Sequence, residues 1–398
     1  MNGNPESRVP GMTSRDRIRT ALAHREPDRV PYDLGSLGPS GISIQAYRNL
    51  LAHIHSGEKA EVGDIASQRA KLSEDFLQRF RVDARPFRVR PQGSWSMKMQ
   101  EEEGYSFFYD EWGIGRKLAK DQGMHFFIFH QPLSEVETSD LQRFPWPAPL
   151  DSNRLAGVEK EALAVRQQAD PAFVLGSSFS SGLLQFGAQL EGHERFFTDL
   201  LLDPRRTEWI LDKLLQLKLS FYQNVLDRMG EWIDIVGEMD DFGHQHSLWV
   251  SVEMFRKLIK PRYAELFSFI KNRYGKKILL HSDGAIYPLI PHIIEMGVDI
   301  LNPIQLGAKD MGDTRKLKKE FGDSLTFWGG GVDIQHTLPF STPQAVEDEV
   351  KRNIENLAPG GGFVFAATQA IQPETPPENI MAMWKALQKY GVYRSATD

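Results

Sequence analysis

The sequence contains no cysteine among its 398 residues. Disulfide bonds, thiolate metal ligands and cysteine nucleophiles are therefore excluded, and the absence is typical of a reducing compartment. The sequence also lacks the run of about eighteen apolar residues that a membrane-spanning helix requires. Its first residues lack the apolar core of a signal peptide. We expect a cytoplasmic protein that does not enter a membrane.

A strong excess of charge of one sign is missing as well. The formal net charge is −6 and the isoelectric point is near 6.0. This balance gives no reason to expect nucleic acid or an anionic membrane as a partner. The composition, 41% hydrophobic and 25% charged, is that of a soluble globular protein long enough for one large barrel or two domains.

One pattern recurs along the chain: a short apolar run that ends abruptly in polar residues or glycine. The clearest example is the segment 277–284, in which Ile278 to Leu280 are followed by His281, Ser282, Asp283 and Gly284. Similar runs lie at 233–241, 298–305, 325–331 and 362–369. Amphipathic helical stretches separate them, and this alternation is typical of parallel βα units.

Counting such runs along the whole chain gives eight predicted strands, near residues 29, 82, 173, 233, 277, 298, 325 and 362. Eight βα units close naturally into a barrel whose chemistry lies at the C-terminal ends of the strands. The predicted fold is therefore α/β, a (β/α)8 TIM barrel, forming one catalytic domain over residues 13–398.

Additions to the barrel are expected towards the N-terminus. Residues 1–12 read as a polar flexible tail. Helices are predicted from Thr13 or Ser14 to about His24 and over 44–55, and a polar connection follows the second. Aromatic and polar residues alternate between 105 and 129, which predicts β hairpins inserted within about 90–150 that could roof a pocket.

The candidate catalytic residues follow two consecutive predicted strands. His281 and Asp283 are two residues apart, so they should point to the same side, and Gly284 lets the backbone turn away. Glu238, Asp240 and Asp241 end the preceding strand, about 5 Å away. One histidine with two or three carboxylates suits a divalent metal, with His281, Asp283 and Glu238 as ligands.

The same group of side chains allows two other interpretations. Crowded carboxylates raise one another's pKa, which would suit proton transfer. Alternatively, Asp240 or Asp241 caps the following loop and His281 is a hydrogen-bonded core histidine.

Polar residues near other strand ends are candidates for binding a substrate. They are Asp33 after the first strand, Ser178 in a serine-rich loop, Gln245, Asn302, Gln305 and Gln369. Most carry neutral hydrogen-bonding groups, which suit a polar ligand. Asp33 could equally be a turn or capping residue.

Several motifs, in this order, resemble the uroporphyrinogen decarboxylase superfamily, which also contains corrinoid- and coenzyme-M-linked methyltransferases. They lie at 176–192, 240–245 (Asp-Asp-Phe-Gly-His-Gln), 281–284 (His-Ser-Asp-Gly), 297–301 and 373–379 (Pro-Glu-Thr-Pro-Pro-Glu-Asn). The resemblance covers about residues 13–393. It implies a (β/α)8 barrel with the pocket in its mouth and a homodimer.

The chain departs from both branches of that superfamily. The decarboxylases carry an arginine-containing segment after the first strand, a tyrosine near the position of Ala188 and a histidine at the position of Gln369. The methyltransferases bind zinc through His-x-Cys and a further cysteine, and these positions are His281, Asp283 and Gln369 here. A porphyrinogen would meet too few cations, and a thiolate zinc site is excluded, whereas an oxygen-rich metal site stays open.

The resemblance and its departures together predict a methyltransferase or demethylase acting on a small polar methylated substrate. A divalent metal such as zinc would be held at His281, and a corrinoid protein or tetrahydrofolate would accept the methyl group. Two alternatives stay open. One is a metal-independent decarboxylase or lyase, and the other is a non-catalytic binding subunit of a corrinoid system.

Overall fold

The computed structural model describes residues 11–120, 125–177 and 179–393. Within these ranges the main helices are α1 Ser14–Leu22, α2 Ile44–His53, α3 Glu74–Arg79, α4 Val158–Ala169, α5 Leu183–Glu191, α6 His193–Leu202, α7 Pro204–Met229, α8 Val252–Met254, α9 Lys260–Tyr274, α10 Ile290–Glu295, α11 Thr314–Phe321, α12 Thr337–Phe340, α13 Pro343–Leu357 and α14 Pro377–Tyr390. Shorter 3-10 turns cover Thr138–Arg143, Ser152–Leu155 and Tyr287–Leu289, and a π-helical turn, Phe255–Ile259, joins α8 to α9. Residues 1–10 of the expected tail lie outside the described residues.

The strands form three sheets. They are β1 Glu61–Asp64, β2 Arg69–Lys71, β3 Ala84–Pro86, β4 Gln100–Glu102, β5 Tyr105–Tyr109, β6 Gly115–Ala119, β7 Phe127–His130, β8 Ala172–Leu175, β9 Ile235–Met239, β10 Lys277–His281, β11 Ile300–Asn302, β12 Thr326–Trp328 and β13 Phe363–Val364. Seven of them make one parallel sheet in the order β13-β12-β11-β10-β9-β8-β3. Helices separate most consecutive strands of this sheet, as the alternating pattern predicted.

Residues 31–33 close the parallel sheet into a barrel. On one side, Phe365 donates its N–H to the Pro31 carbonyl at 2.8 Å, and Asp33 donates to the Phe365 carbonyl at 2.9 Å. On the other side, the Asp83 N–H donates to the Tyr32 carbonyl at 2.7 Å. This segment is the first of the eight predicted strands, so the predicted TIM-barrel fold is confirmed.

Every second side chain along each strand points into the barrel interior and fills it. A buried cluster joins Ile235, Leu279, Ile300, Trp328 and other inward residues of the strands to α1. The residues between them, such as Val236 and Leu280, pack in the larger core beneath the helices. Each strand therefore presents alternate residues to the barrel and to the helix layer.

Two small antiparallel sheets are added to the barrel. Strands β4 to β7 pair in sequence order over residues 100–130, inside the region where hairpins were expected. Strands β1 and β2 form a hairpin in the segment that the sequence indicated only as a polar connection. The β1–β2 hairpin was missed because four exposed residues, 61–64, carry no alternating apolar pattern.

None of the helices in the described ranges combines the length and apolar character needed to cross a membrane.

A buried ion-pair cluster joins α1, residues 29–32 and the turn before β3. The Asp83 carboxylate, 0% exposed, accepts hydrogen bonds from Arg17 at 2.7 Å and from Arg29 at 2.7 and 2.9 Å. It also accepts the backbone N–H of Tyr32 at 2.9 Å. Asp83 therefore binds the closing strand to its neighbour from the side of α1.

We predict that Asp83→Asn lowers the free energy of unfolding by about 3 kcal/mol, because it leaves two buried guanidinium groups short of a partner. Urea unfolding followed by circular dichroism measures this change. The matched control is Glu161→Gln, which removes an exposed ion pair with Arg90 and should cost less than about 1 kcal/mol. Equal effects of the two substitutions would contradict the role of Asp83 in closing the barrel.

Candidate active site

Three of the predicted residues meet at the mouth of the barrel. One potential ligand atom from each of Asp241, His281 and Asp283 lies within 4.8 Å of the other two. The His281 Nε2 is 3.7 Å from Asp241 Oδ1 and 3.7 Å from Asp283 Oδ2. We call this group the Asp-His-Asp cluster.

Asn302 fixes the orientation of the His281 ring. The Asn302 amide nitrogen donates to the Trp328 carbonyl at 2.6 Å, so the amide oxygen faces His281 Nδ1, also at 2.6 Å. That oxygen can only accept, so Nδ1 carries a proton. In the neutral ring the lone pair is therefore on Nε2, which faces the two carboxylates.

The Asp283 carboxyl is incompletely satisfied. Its Oδ2 accepts a hydrogen bond from Gln369 at 2.8 Å, whereas its buried Oδ1 has no partner within the part of the chain that the structure describes. Burial raises the pKa of Asp283, the nearby charge of Asp241 adds to the rise, and His281 opposes it. A buried carboxyl oxygen without a partner is a natural point for a proton or a cation.

Asp241 is held from two directions and stays partly open. Its Oδ1 accepts the backbone N–H of Asp283 at 3.0 Å, and its Oδ2 accepts from Gln185 at 3.0 Å. Its side chain is 27% exposed, compared with 5% for His281. The Asp283 side chain is equally exposed, at 27%. These two carboxylates therefore form the side of the cluster that faces solvent.

Gly284 allows the sharp turn after the cluster. Its φ angle is +98°, and an added Cβ would lie 2.3 Å from the Gly243 carbonyl carbon. The left-handed conformation and this close backbone contact both require glycine. The turn predicted after Asp283 is thus confirmed.

Asp240 does not join the cluster but caps helix α5. Its carboxylate accepts the backbone N–H groups of Leu184 and Gln185 at 2.8 and 2.7 Å and the Tyr263 hydroxyl at 2.8 Å. Burial raises the pKa of Asp240 to about 7, although these hydrogen bonds favour the charged form. Gly182 makes the contact possible, because an added Cβ there would lie 2.1 Å from Asp240 Cβ.

Glu238 also faces the helix layer. Its carboxylate pairs with Lys218 at 2.8 Å and accepts the Tyr222 hydroxyl, and it is fully buried. Ile235 faces the interior, so the two-residue period directs Gly237, Met239 and Asp241 inward, and Glu238 and Asp240 outward. This two-residue period separates Asp241 from the other acidic residues once the structure shows that Ile235 faces inward.

The amide side chains predicted to bind substrate connect loops to one another. Gln305 accepts the Gly284 N–H at 2.6 Å and donates to Gln245 at 3.2 Å, while Gln245 donates to the Gly307 carbonyl. Gln369 and Asn302 contact Asp283 and His281, as described above. These four residues position the loops and the cluster in the structure.

Asp33 is buried beneath the mouth, and Ser178 lies outside the described residues. Asp33 accepts the Ser36 N–H at 3.0 Å and the Trp328 indole N–H at 2.8 Å, and burial raises its pKa. With 1% exposure, its carboxyl is covered by the turn that it stabilises.

A cavity of about 580 Å³ opens at the ends of the first strands of the barrel. Met239, two residues before Asp241, forms part of its wall, together with Ser177 and the loop 35–38. Arg69 of β2 lines both this cavity and a neighbouring one of about 370 Å³. Sequence reasoning missed Arg69, because its position depends on how the β1–β2 hairpin docks.

Comparison with known proteins agrees with this architecture. A family model described as Uroporphyrinogen decarboxylase (URO-D) matches residues 122–390, more than half of the chain. The chain belongs to the uroporphyrinogen decarboxylase family. The resemblance inferred from its motifs is thereby confirmed.

Relatives within the uroporphyrinogen decarboxylase family are distant. The uroporphyrinogen decarboxylase of Alkalilimnicola ehrlichii is 21% identical over 384 residues, covering 94% of this chain and 93% of that protein. That of Pseudoalteromonas atlantica is 22% identical over 295 residues, covering 71% and 75%. A solved methyltransferase from Methanosarcina mazei has a TM-score of 0.62 at 16% identity, covering 95% and 99%, and so shares the fold.

The two neighbouring aspartates have different hydrogen-bond partners, which predicts different effects on stability. We predict that Asp240→Asn lowers the free energy of unfolding by about 2 kcal/mol or more, because the amide group meets three buried donors. Asp241→Asn, half-buried and with fewer donors, should change it by less than about 1 kcal/mol. Thermal unfolding of both variants tests this, and a larger loss in Asp241→Asn would contradict the assignment.

Proposed function

We propose that this family member is a methyltransferase or demethylase acting on a small polar methylated substrate, with the Asp-His-Asp cluster as its reacting centre. The observation that carries the proposal is the convergence of one imidazole nitrogen and two carboxylates within 4.8 Å at the barrel mouth. The choice of methyl transfer rests on the likeness to the methyltransferase branch and on the absence of arginine from residues 32–38, at the end of the first strand. The fold is also one that a methyltransferase uses.

The residues of the cluster fit a divalent metal ion. His281 Nε2 offers a lone pair because Nδ1 is hydrogen-bonded to Asn302, and Asp283 Oδ1 is buried without a partner. A metal-ligating histidine usually donates its other ring N–H to an oxygen acceptor, and His281 donates to the Asn302 amide oxygen. One nitrogen with carboxylate oxygens suits zinc, manganese or iron better than thiolate-dependent metals. We propose Asp241, His281 and Asp283 as the ligands.

Methyl transfer breaks a bond between carbon and a heteroatom, and the electron pair stays on the heteroatom. A bound divalent cation would supply Lewis acidity that stabilises this leaving group. The chain's own residues hold the imidazole and carboxylates in place: Asn302 orients His281, and Gln369 orients Asp283. We further propose a corrinoid protein or tetrahydrofolate as methyl acceptor, and a homodimer, from the likeness to the methyltransferase branch.

A metal-independent lyase or decarboxylase is the second candidate. The raised pKa of Asp283 favours it, since a neutral carboxyl beside an imidazole can deliver a proton to a carbanion. In that case the carbon–carbon bond breaks with its electron pair left on one carbon, and the other fragment departs, as CO2 in a decarboxylation. Asp283 then gives its proton to the carbanion. The same residues could serve either reaction. The presence of a bound metal would favour methyl transfer, and its absence would favour the lyase or decarboxylase.

We predict that the protein purified without added metal carries about one equivalent of a transition metal, and that His281→Ala loses it. Elemental analysis measures the content, and circular dichroism verifies that the variant is folded. The control is His336→Ala, an exposed histidine in a loop, which should retain the metal. If neither the wild type nor the variants contain metal, the proposed metal site is wrong.

Chelation separates the two candidate reactions. We expect a chelator to abolish methyl transfer from methylated donors, with recovery when the metal is returned, because the leaving heteroatom loses its Lewis acid. A lyase would keep full activity after chelation and lose it in Asp283→Asn. Methyl transfer that persists in metal-free protein and in His281→Ala would contradict the proposed function.

A further inference from the structure

Arg69 is fixed over the barrel mouth by its backbone. The neighbouring Ala70 N–H donates to the Ile42 carbonyl at 2.9 Å, and Arg69 itself bridges to Ser43. Ser43 in turn donates to the Ile371 carbonyl at 2.8 Å, close to the last strand. The base of the Arg69 side chain is therefore held against the segments that follow the first and the last strands of the barrel.

The Arg69 guanidinium has no hydrogen-bond or ion-pair partner among the residues that the structure describes. Burial lowers the pKa of Arg69, and the two carboxylates that oppose this effect, Asp64 and Asp283, act through their charge. Asp64 already accepts the Ser67 hydroxyl at 2.6 Å. A half-buried guanidinium with five N–H donors and no acceptor among these residues is available to bind an anionic ligand in the cavity.

The surroundings of Arg69 indicate what kind of ligand would fit. Gly38 leaves room for the guanidinium, because an added Cβ would lie 2.5 Å from Arg69 Nη1. The wall of the larger cavity combines Arg69 and Arg88 with apolar side chains, among them Leu37, Phe87 and Met239. A cavity of about 580 Å³ with this lining suits a small molecule that has an apolar body and one anionic end.

We propose that Arg69 binds the carboxylate of the substrate, which is therefore a small methylated organic acid with an apolar body. The planar guanidinium matches a carboxylate in a two-pronged hydrogen bond. The proposal rests on the proposed methyl transfer for the identity of the substrate, while the anion site itself rests on Arg69 and its cavity. Met239, which lines this cavity, is the β9 partner of His281 on β10, so the anion site lies on the side of the barrel mouth next to the Asp-His-Asp cluster.

Isothermal titration calorimetry on the full chain tests the anion site without requiring turnover. The probes are 4-methoxybenzoate and 3-methoxypropionate, the neutral amide of each, and 4-methoxyphenyl phosphate. We expect the wild type to bind at least one carboxylate about 10-fold or more tightly than its amide. Arg69→Gln should weaken carboxylate binding by about 10- to 100-fold and leave amide binding unchanged, as expected for loss of a charged hydrogen bond.

Two further variants sharpen the test. Gly38→Ala should also weaken carboxylate binding, because its methyl group displaces the guanidinium. The control, Arg79→Gln, removes an exposed arginine of α3 that lines neither cavity, and it should bind like the wild type.

Three results would overturn the proposal. They are equal affinity for acids and amides in the wild type, unchanged carboxylate binding in Arg69→Gln, and no binding of any probe at millimolar concentration. Tighter binding of the phosphate would replace the carboxylate assignment. Because metal content is measured separately, a metal-free protein that still selects carboxylates through Arg69 would refute the metal site of the proposed function but not the anion site.

Discussion

The closure of the barrel at residues 31–33 is the constraint on which the rest of the structure depends. This short segment pairs with Phe365 on one side and with Asp83 on the other, and each pairing uses only a few hydrogen bonds. Buried ion pairs from Arg17 and Arg29 to Asp83 reinforce it. Because the sheet closes here, the loop after the first strand meets both β2 and the ends of the later strands, and one mouth is formed.

Closure also fixes which face of each strand is the interior. In a closed sheet, alternate side chains either fill the barrel or pack beneath the helices. Along β9 and the two residues that follow it, this alternation places Glu238 and Asp240 in the helix layer and Asp241 at the mouth. The adjacent aspartates have the same chemistry but different partners: Asp240 receives three donors at the start of α5, whereas Asp241 faces His281. Position on the strand, and not residue type, assigns their roles.

Electrostatic complementarity divides the mouth into two regions. The Asp-His-Asp cluster gathers two carboxylates around one imidazole and suits a cation or a proton. Arg69 and Arg88 line the cavity on the side of the first strands and suit an anion. Met239, which lines this cavity, pairs with His281 across β9 and β10 and so lies between the two regions.

The sequence by itself determined the features that depend on neighbours along the chain. The strand positions followed from short apolar runs, the pairing of His281 with Asp283 from their spacing of two, and the turn from Gly284. The absence of cysteine excluded a thiolate metal site. The tertiary structure decided the features that depend on distant segments. It selected Asp241 over Asp240 and Glu238, because the inward face of a strand is defined only when the sheet closes. It also brought Arg69 to the mouth, because the docking of an exposed hairpin depends on hydrogen bonds to residues 42–44 and leaves no periodic signal in the sequence.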